Sequence, residues 1–147
     1  MNDSIRSPRG TLMLRTLAMP ADTNPAGDIF GGWIMSQMDL GGAILAKELS
    51  RGRIVTVAVD GMSFHLPVAV GDVVCVYGEC THVGRTSMKV KVEVWVKKVT
   101  TEPIGERYCV TEASFSYVAI DASKRPRVIP RENNTELQLV LDRLAED

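Results

Sequence analysis

The fold of this chain is decided by residues 31–46, GGWIMSQMDLGGAILA, which form its most apolar helical stretch. Apolar side chains lie on nearly every side of this predicted helix, and a helix of that kind is usually buried. One acid, Asp39, stands in the middle of it. Burying an unpaired carboxylate is costly unless the group stays protonated, so an acid at this position needs a reason. Catalysis is one candidate.

The rest of the chain predicts a sheet around that helix. The helix should run to about Leu49, a length of about 28 Å, with Gly52 as a suitable C-terminal stop. Residues 88–97, MKVKVEVWVK, have apolar even positions and mostly charged odd positions, which predicts a strand with one buried and one solvated face. Strands are also predicted at residues 11–17, 55–60, 73–78 and 106–120, and an amphipathic second helix at 132–144.

This order of elements predicts an α+β fold. Strands joined by short turns pair antiparallel, and a sheet of about five long strands twists and curls. The concave face of such a sheet would wrap the one long helix and leave part of that helix uncovered. A second copy of the chain is the natural cover, so we expect self-association.

Length and composition narrow the function classes. The 147 residues, 45% of them hydrophobic, fit one domain with a proper core. We expect a flexible N-terminal arm at 1–10, the main domain at 11–122, and a basic segment with the C-terminal helix at 123–147. The net charge of −1 gives no large basic field, so no nucleic acid partner is expected.

The remaining sequence features argue against membrane association and against a metal-binding site. No apolar run approaches the ~18 residues of a membrane span, and the N-terminus lacks a signal core. We therefore expect no membrane partner and a cytoplasmic location. The three cysteines are interpreted as free thiols, and only two histidines are present, which argues against a zinc site.

A glycine pair stands at the start of the predicted helix. Adjacent glycines such as Gly31 and Gly32 cost helix stability. They also let a ligand approach the free N–H groups of the first turn, which together with the helix dipole form an anion site. Such a site can hold the developing oxyanion of a carbonyl under attack. Close packing of the helix on the sheet, without a ligand, is the alternative explanation.

The acid is too far from these glycines to act with them in one helix. Asp39 lies seven residues after Gly32, about 10 Å along the helix axis, whereas each contact to a carbonyl needs about 3 Å. Two antiparallel helices across a two-fold axis would bring Asp39 of one chain opposite Gly32 of the other, giving two equal sites. Alternatively, backbone N–H groups or Ser36 satisfy the carboxylate.

Other polar residues have a structural and a functional interpretation. Asn24 either turns the chain by an Asx turn or orients water or the carbonyl with its amide. Asp28 can cap the helix. The segment 84–87, GRTS, lacks the lysine and glycines of a P-loop, yet its backbone and Arg85 could hold a phosphate; a plain hairpin is the alternative. No nucleophile is set up, since neither a GxSxG elbow nor a Cys–His pair is evident.

These features together resemble the YciA-type acyl-CoA thioesterases of the hotdog fold, over about residues 10–135. The matching stretches are Asn24 through Asp39, 56–60 (TVAVD), 67–72 (PVAVGD), 83–87 (VGRTS), 94–98 (VWVKK) and 130–134 (PRENN). The hotdog fold agrees with the predicted architecture, because a curled antiparallel sheet wraps one central helix. The resemblance implies hydrolysis of an acyl-CoA to a free acid and CoA.

The resemblance also implies roles for individual residues. The helix acid of the family falls on Asp39, as general base or nucleophile, and the family asparagine falls on Asn24. The N–H that polarises the thioester carbonyl falls on Gly32, with Gly31 beside it. Contacts to CoA fall on Val57, Ala58, Val59, Arg85, Thr86, Ser87 and, for a phosphate, Arg131. Dimers, often trimers of dimers, are implied, and no cofactor, since CoA is part of substrate and product.

Two functions from different classes fit such a site. In the first, Asp39 removes a proton from water, which attacks the thioester carbon while the Gly32 N–H of the facing copy holds the oxyanion. In the second, the same fold binds or senses acyl-CoA without cleaving it. A hotdog dehydratase would need a histidine on the helix, and neither His65 nor His82 lies in that stretch.

Overall fold

The computed structural model describes residues 6–146 as five strands and two α-helices, with a short 3₁₀ turn at Pro20–Asp22. In chain order the elements are β1 (Thr11–Leu17), α1 (Gly31–Ser50), β2 (Ile54–Phe64), β3 (Val73–Val83), β4 (Ser87–Lys97), β5 (Arg107–Ala119) and α2 (Thr135–Glu146). Within this part of the chain, neither α-helix combines the length and the apolar character needed to cross a membrane.

The strands form one antiparallel sheet in the order β1-β3-β4-β5-β2, with α1 packed against its inner face. Val92 and Val94 of β4 and Phe115 of β5 lie on that face and share one hydrophobic core with Met38 of α1. The predicted α+β architecture, a curled antiparallel sheet around one long helix with a second helix at the C-terminus, is confirmed. β1 and β2 are the edges of the sheet, because each pairs with a single neighbour.

Local backbone geometry changes several predicted boundaries. β2 and β3 both run past their predicted ends, and two bulges let β2 stay paired with β5 as far as Phe64. The second helix begins at Thr135, later than predicted, because Asn133 takes a φ of 55°. Asn134 then caps the helix, since its Oδ1 accepts the Leu137 N–H at 3.2 Å.

The C-terminal end of α1 differs from the prediction as well. Arg51, not Gly52, takes the left-handed conformation that ends the helix, with a φ of 58°. Gly52 packs closely against Arg127 instead, since a Cβ there would lie 2.8 Å from the Arg127 Nη2. The Arg127 guanidinium donates to the carbonyl oxygens of Ser50 at 2.8 Å and Arg53 at 3.2 Å. This basic residue of the C-terminal segment therefore serves the fold.

The outer face of the sheet, which points away from α1, is less solvated than the pattern of β4 predicts. Glu93 and Trp95 occupy odd positions of β4, yet they are only 1% and 2% exposed. The Arg6 Nη1 lies 3.1 Å from the Glu93 Oε1, and its guanidinium lies 5.2 Å from the centre of the Trp95 ring. The predicted N-terminal arm is thus anchored to the sheet at Arg6, and its residues 1–5 lie outside the described part of the chain.

Within the single chain, α1 is not buried on all sides. Met35, Leu40 and Ile44 are 40%, 55% and 38% exposed, although the sequence pattern favours burial. Val57 and Val59 of the neighbouring edge strand β2 are exposed too. We call these five side chains the apolar face. A sheet covers a central helix from one side, so the apolar face is the part that one chain leaves uncovered.

Candidate active site

α1 begins with two glycines whose amides are open. Gly31 and Gly32 are its first residues, and the preceding Phe30 makes no side-chain cap hydrogen bond. The first turn of a helix leaves its N–H groups unpaired, and neither glycine amide donates to another described residue. A Cβ at Gly31 would contact the Phe64 ring at 3.2 Å, and one at Gly32 the Phe30 ring at 3.3 Å. This end of the helix therefore has both features that the sequence left open: its glycines are closely packed against aromatic rings, and within the described chain their N–H groups are free to bind a ligand.

Asn24 shapes the loop that leads into α1. Its Oδ1 accepts the N–H groups of Ala26 at 3.0 Å and Asp28 at 3.1 Å, which is the Asx turn considered from the sequence. Its Nδ2 donates to no group among residues 6–146, so it is available to a ligand. The prediction that Asp28 caps α1 was wrong, because Phe30 occupies the cap position.

Two hydroxyls of the sheet hold the Asp39 carboxylate. Thr56 of β2 donates its Oγ1–H to Asp39 Oδ1 at 2.6 Å. The Tyr117 hydroxyl of β5 lies 3.3 Å from the same oxygen and 3.2 Å from the Asp39 carbonyl oxygen. No described residue donates to Oδ2, so the carboxylate is fixed through one oxygen and open at the other. Ser36, the partner considered from the sequence, donates instead to the Trp33 carbonyl at 2.6 Å.

The surroundings of Tyr117 keep its hydroxyl protonated, so that it can donate a hydrogen bond. Its side chain is fully buried, and burial raises the pKa of the hydroxyl, with the Asp39 carboxylate adding to the shift. The hydroxyl therefore keeps its proton near neutral pH and donates it toward the acid. Gly42 makes this approach possible, because a Cβ at that position would overlap the Tyr117 hydroxyl.

One chain does not bring the acid and the glycine amides together. Gly32 is the second residue of α1 and Asp39 the ninth, so about 10 Å of helix axis separates them. The single chain thus presents two separate parts of a site, an acid on the middle of the helix and amides at its start.

The residues implied to contact pantetheine lie on the free edge of the sheet. Val57, Ala58 and Val59 belong to β2, which pairs with β5 alone, and all three are exposed. A bulge at Val57 interrupts that pairing. An edge strand presents unpaired backbone N–H and C=O groups, which can bind an amide-containing chain.

The structure brings Arg85 and Arg131 together at the hairpin between β3 and β4. The Arg131 guanidinium donates to the carbonyl oxygens of Gly84 at 2.8 Å and Arg85 at 3.3 Å. Thr86 and Ser87 complete the turn, where the Gly84 N–H donates to the Ser87 carbonyl at 2.8 Å. Arg131 therefore shapes the hairpin, while the exposed Arg85 guanidinium donates to no described residue.

Sequence reasoning did not select Thr56 and Tyr117 as site residues. Thr56 opens the matched stretch 56–60, but nothing local in the sequence links it to Asp39. Tyr117 pairs with Thr56 across the sheet, and its neighbours on the inner face of β5 are apolar. A buried tyrosine hydroxyl among apolar side chains needs a partner, and this is the signal that could have pointed to it.

Comparison with known proteins assigns this geometry to a family. Residues 26–102 match the family model described as Thioesterase superfamily. An uncharacterized acyl-CoA thioester hydrolase of Haemophilus influenzae is 67% identical over 96% of this chain and 92% of its own length. The acyl-CoA thioester hydrolase YciA of Escherichia coli is 63% identical over 90% of this chain and 100% of its own length. The chain belongs to the YciA-type acyl-CoA thioester hydrolases.

Solved structures confirm the hotdog fold of this family member. A hexameric broad specificity acyl-coenzyme A thioesterase matches with a TM-score of 0.93 and 66% identity, over 97% of this chain and 96% of that one. An aspartate-to-alanine mutant of that enzyme matches with a TM-score of 0.91 and 66% identity, over 95% and 100%. A hexameric hotdog fold thioesterase of Campylobacter jejuni matches with a TM-score of 0.79 and 42% identity, over 89% and 96%.

Proposed function

We propose that this protein hydrolyses the thioester of acyl-CoA substrates to a free acid and CoA. The Asp39 carboxylate carries the proposal, because two hydroxyls hold its Oδ1 and its Oδ2 is open. A carboxylate held in this way suits a general base that must face a water molecule. The relatives named acyl-CoA thioester hydrolases support the reaction, and the aspartate-to-alanine mutant of one thioesterase supports the choice of an acid.

In the proposed mechanism, Asp39 takes a proton from water as the water oxygen attacks the thioester carbon. The carbonyl oxygen gains negative charge and accepts the Gly32 N–H of the facing copy, with the Gly31 amide and the helix dipole beside it. The Asn24 amide orients the water or the carbonyl. The C–S bond then breaks and CoA leaves as a thiolate; its thiol has a pKa near the ~8.5 of cysteine, so no strong general acid is required. The reaction uses no cofactor.

The CoA moiety would extend from the edge of β2 to the β3–β4 hairpin. The pantetheine amides would pair with backbone groups at Val57, Ala58 and Val59, as a peptide adds to a sheet edge. The phosphates would lie at Arg85 and the backbone of the turn with Thr86 and Ser87, which Arg131 shapes through its contacts to the hairpin carbonyls.

A two-fold dimer would complete the active site. It would cover the apolar face and bring Asp39 of one copy opposite Gly32 of the other, as the spacing along α1 requires. Trimers of such dimers would give a hexamer, the assembly of the relatives with solved structures. A cytoplasmic location, without nucleic acid or membrane partners, remains a prediction from the sequence.

The test compares Asp39→Asn with Glu48→Gln in a thiol-release assay on acyl-CoAs of increasing chain length. Asp39→Asn keeps the size of the side chain and should lower turnover by about 100-fold or more, the usual contribution of a general base. Glu48 is an exposed acid of the same helix, and its change should leave turnover intact. Near-normal turnover from a folded Asp39→Asn protein would reject the proposed role of this acid.

The same assay separates the enzyme from the acyl-CoA binding or sensing module. A binding module would retain intact acyl-CoA through gel filtration and release no thiol with any chain length. Thiol release that depends on enzyme concentration would exclude this alternative, whichever residue supplies the base.

A further inference from the structure

We propose that the outer face of the sheet carries an anion-binding pocket, formed by Arg15, Lys97 and Arg107, that takes a small phosphate-bearing molecule. This pocket is separate from the proposed active site and has no part in the hydrolysis described above.

Two positively charged residues lie opposite each other in the sheet beside this pocket. Lys97 at the end of β4 lies directly opposite Arg107 at the start of β5. Arg15 of β1 lines the same cavity, which has a volume of about 260 Å³ and is also lined by the apolar side chains of Val73 and Val99. Like charges placed opposite each other on one face of a sheet repel, and an anion bound between these three exposed cations would supply compensation for their charge.

The chain itself does not supply that compensation. Arg15, Lys97 and Arg107 form no ion pair with any described residue, and no acid of the described chain lines the cavity. Elsewhere on the outer face, Arg6 and Lys91 do pair with acids. The net charge of the chain is −1, so the cluster is not the consequence of a generally basic surface.

The polar groups around the cavity are hydrogen-bond donors, which suits a ligand that accepts hydrogen bonds. The Arg107 Nη2 donates to the Tyr77 hydroxyl oxygen at 2.9 Å, which leaves the Tyr77 O–H free to donate. Arginine and lysine side chains carry donors alone, so the cavity presents donors on several sides. The unprotonated oxygens of a phosphate only accept hydrogen bonds, and guanidinium groups bind phosphate in a forked geometry. Three cations favour its double negative charge over a single carboxylate.

The position of the pocket keeps it apart from the proposed CoA phosphates. Arg85 and Arg131 lie at the hairpin that follows β3, whereas Val73 is the first residue of that strand. β3 has 11 residues, so its two ends are about 33 Å apart at the rise of an extended strand. An anion bound near Val73 therefore does not contact the hairpin of the same chain.

Isothermal titration with inorganic pyrophosphate at low ionic strength tests the pocket. The double variant Lys97→Gln/Arg107→Gln should bind pyrophosphate about a hundredfold more weakly than the parent, since it removes two charge-assisted contacts and each is worth about tenfold. Lys89→Gln is the matched control, because Lys89 is exposed on the same strand and does not line the cavity. Added salt should weaken the parent's binding.

Four results would overturn the proposal. Equal affinity of the parent and the double variant would show that pyrophosphate binds elsewhere, and an equal loss in Lys89→Gln would show a general charge effect. Tighter binding of malonate than of pyrophosphate would refute a phosphate ligand. Thiol release from acyl-CoA should be unchanged in the double variant, so failure of the pocket leaves the proposed hydrolysis intact. A raised KM for acyl-CoA would instead refute its separation from the substrate site.

Discussion

Two variants that are each inactive should restore activity when they share a dimer. Asp39→Asn removes the proposed base, and Gly32→Pro removes the N–H that would hold the oxyanion. Proline is tolerated in the first turn of a helix, where its missing N–H has no intrahelical partner. Because a side chain at residue 32 would contact the Phe30 ring, circular dichroism of the purified Gly32→Pro protein must show that α1 is still folded. Each variant alone should release thiol at a small fraction of the parental rate.

The expected recovery follows from where the two groups lie. Since about 10 Å of α1 separates Gly32 from Asp39, each site of the proposed dimer would take its acid from one copy and its amide from the other. In a mixed dimer, one site then combines both defects and the other site has neither. Random pairing of equal amounts makes about half of the dimers mixed, so the pool should reach about a quarter of the parental activity.

The assay is thiol release by the two variants co-expressed with different affinity tags, with the one-to-one ratio checked by mass spectrometry. A matched control co-expresses Asp39→Asn with the double variant Asp39→Asn/Gly32→Pro, a pair that provides no intact site in any arrangement. If the mixed pool is no more active than this control, the acid and the amide do not act across the dimer axis, and the reasoning from helix spacing is wrong.

Three further predictions concern the contacts of the sheet. Thr56→Val should lower kcat about tenfold with little change in KM, and Thr56→Ser should restore it, because the hydroxyl positions Asp39. The raised pKa of Tyr117 favours the folded state below about pH 10, and this stabilisation is lost as the pH rises further; Tyr117→Phe should therefore lose less stability than the parent between about pH 9 and 11 in thermal melts. Arg6→Met should lower the free energy of unfolding in urea by about 2 kcal/mol, because it leaves the buried Glu93 without its cation.

Much of the fold was predictable because its signals are periodic. The alternation in β4 and the long apolar helix fix the layers, and both appear in the structure close to the predicted bounds. The predicted ends of the helices and strands are wrong where one residue interrupts a periodic pattern. Arg51 ends α1 in a left-handed conformation that sequence preference gives to glycine, while the neighbouring Gly52 lies against the Arg127 guanidinium.

The burial of Glu93 could not be read from its strand. An acid at an odd position of β4 predicts a solvated face. Arg6 and the Arg9 N–H, 87 and 84 residues earlier in the chain, together with the Trp95 indole N–H, change that outcome by donating to the Glu93 carboxylate. The same limit applies to the site. Gly31 and Gly32 mark the helix start through their type alone, whereas the partners of Asp39 lie 17 and 78 residues away, at separations that no local pattern encodes.

The contacts of Asp39 explain how an acid can stand in an apolar helix. The inner face of the sheet places Thr56 and Tyr117 as a cross-strand pair beneath it, so the carboxylate is paired without any charged neighbour on α1. Thr56 is followed directly by Val57, whose side chain belongs to the apolar face that the second copy is proposed to cover. One strand therefore orients the base and borders the partner, so any shift of β2 that loosens the dimer should also misalign Asp39.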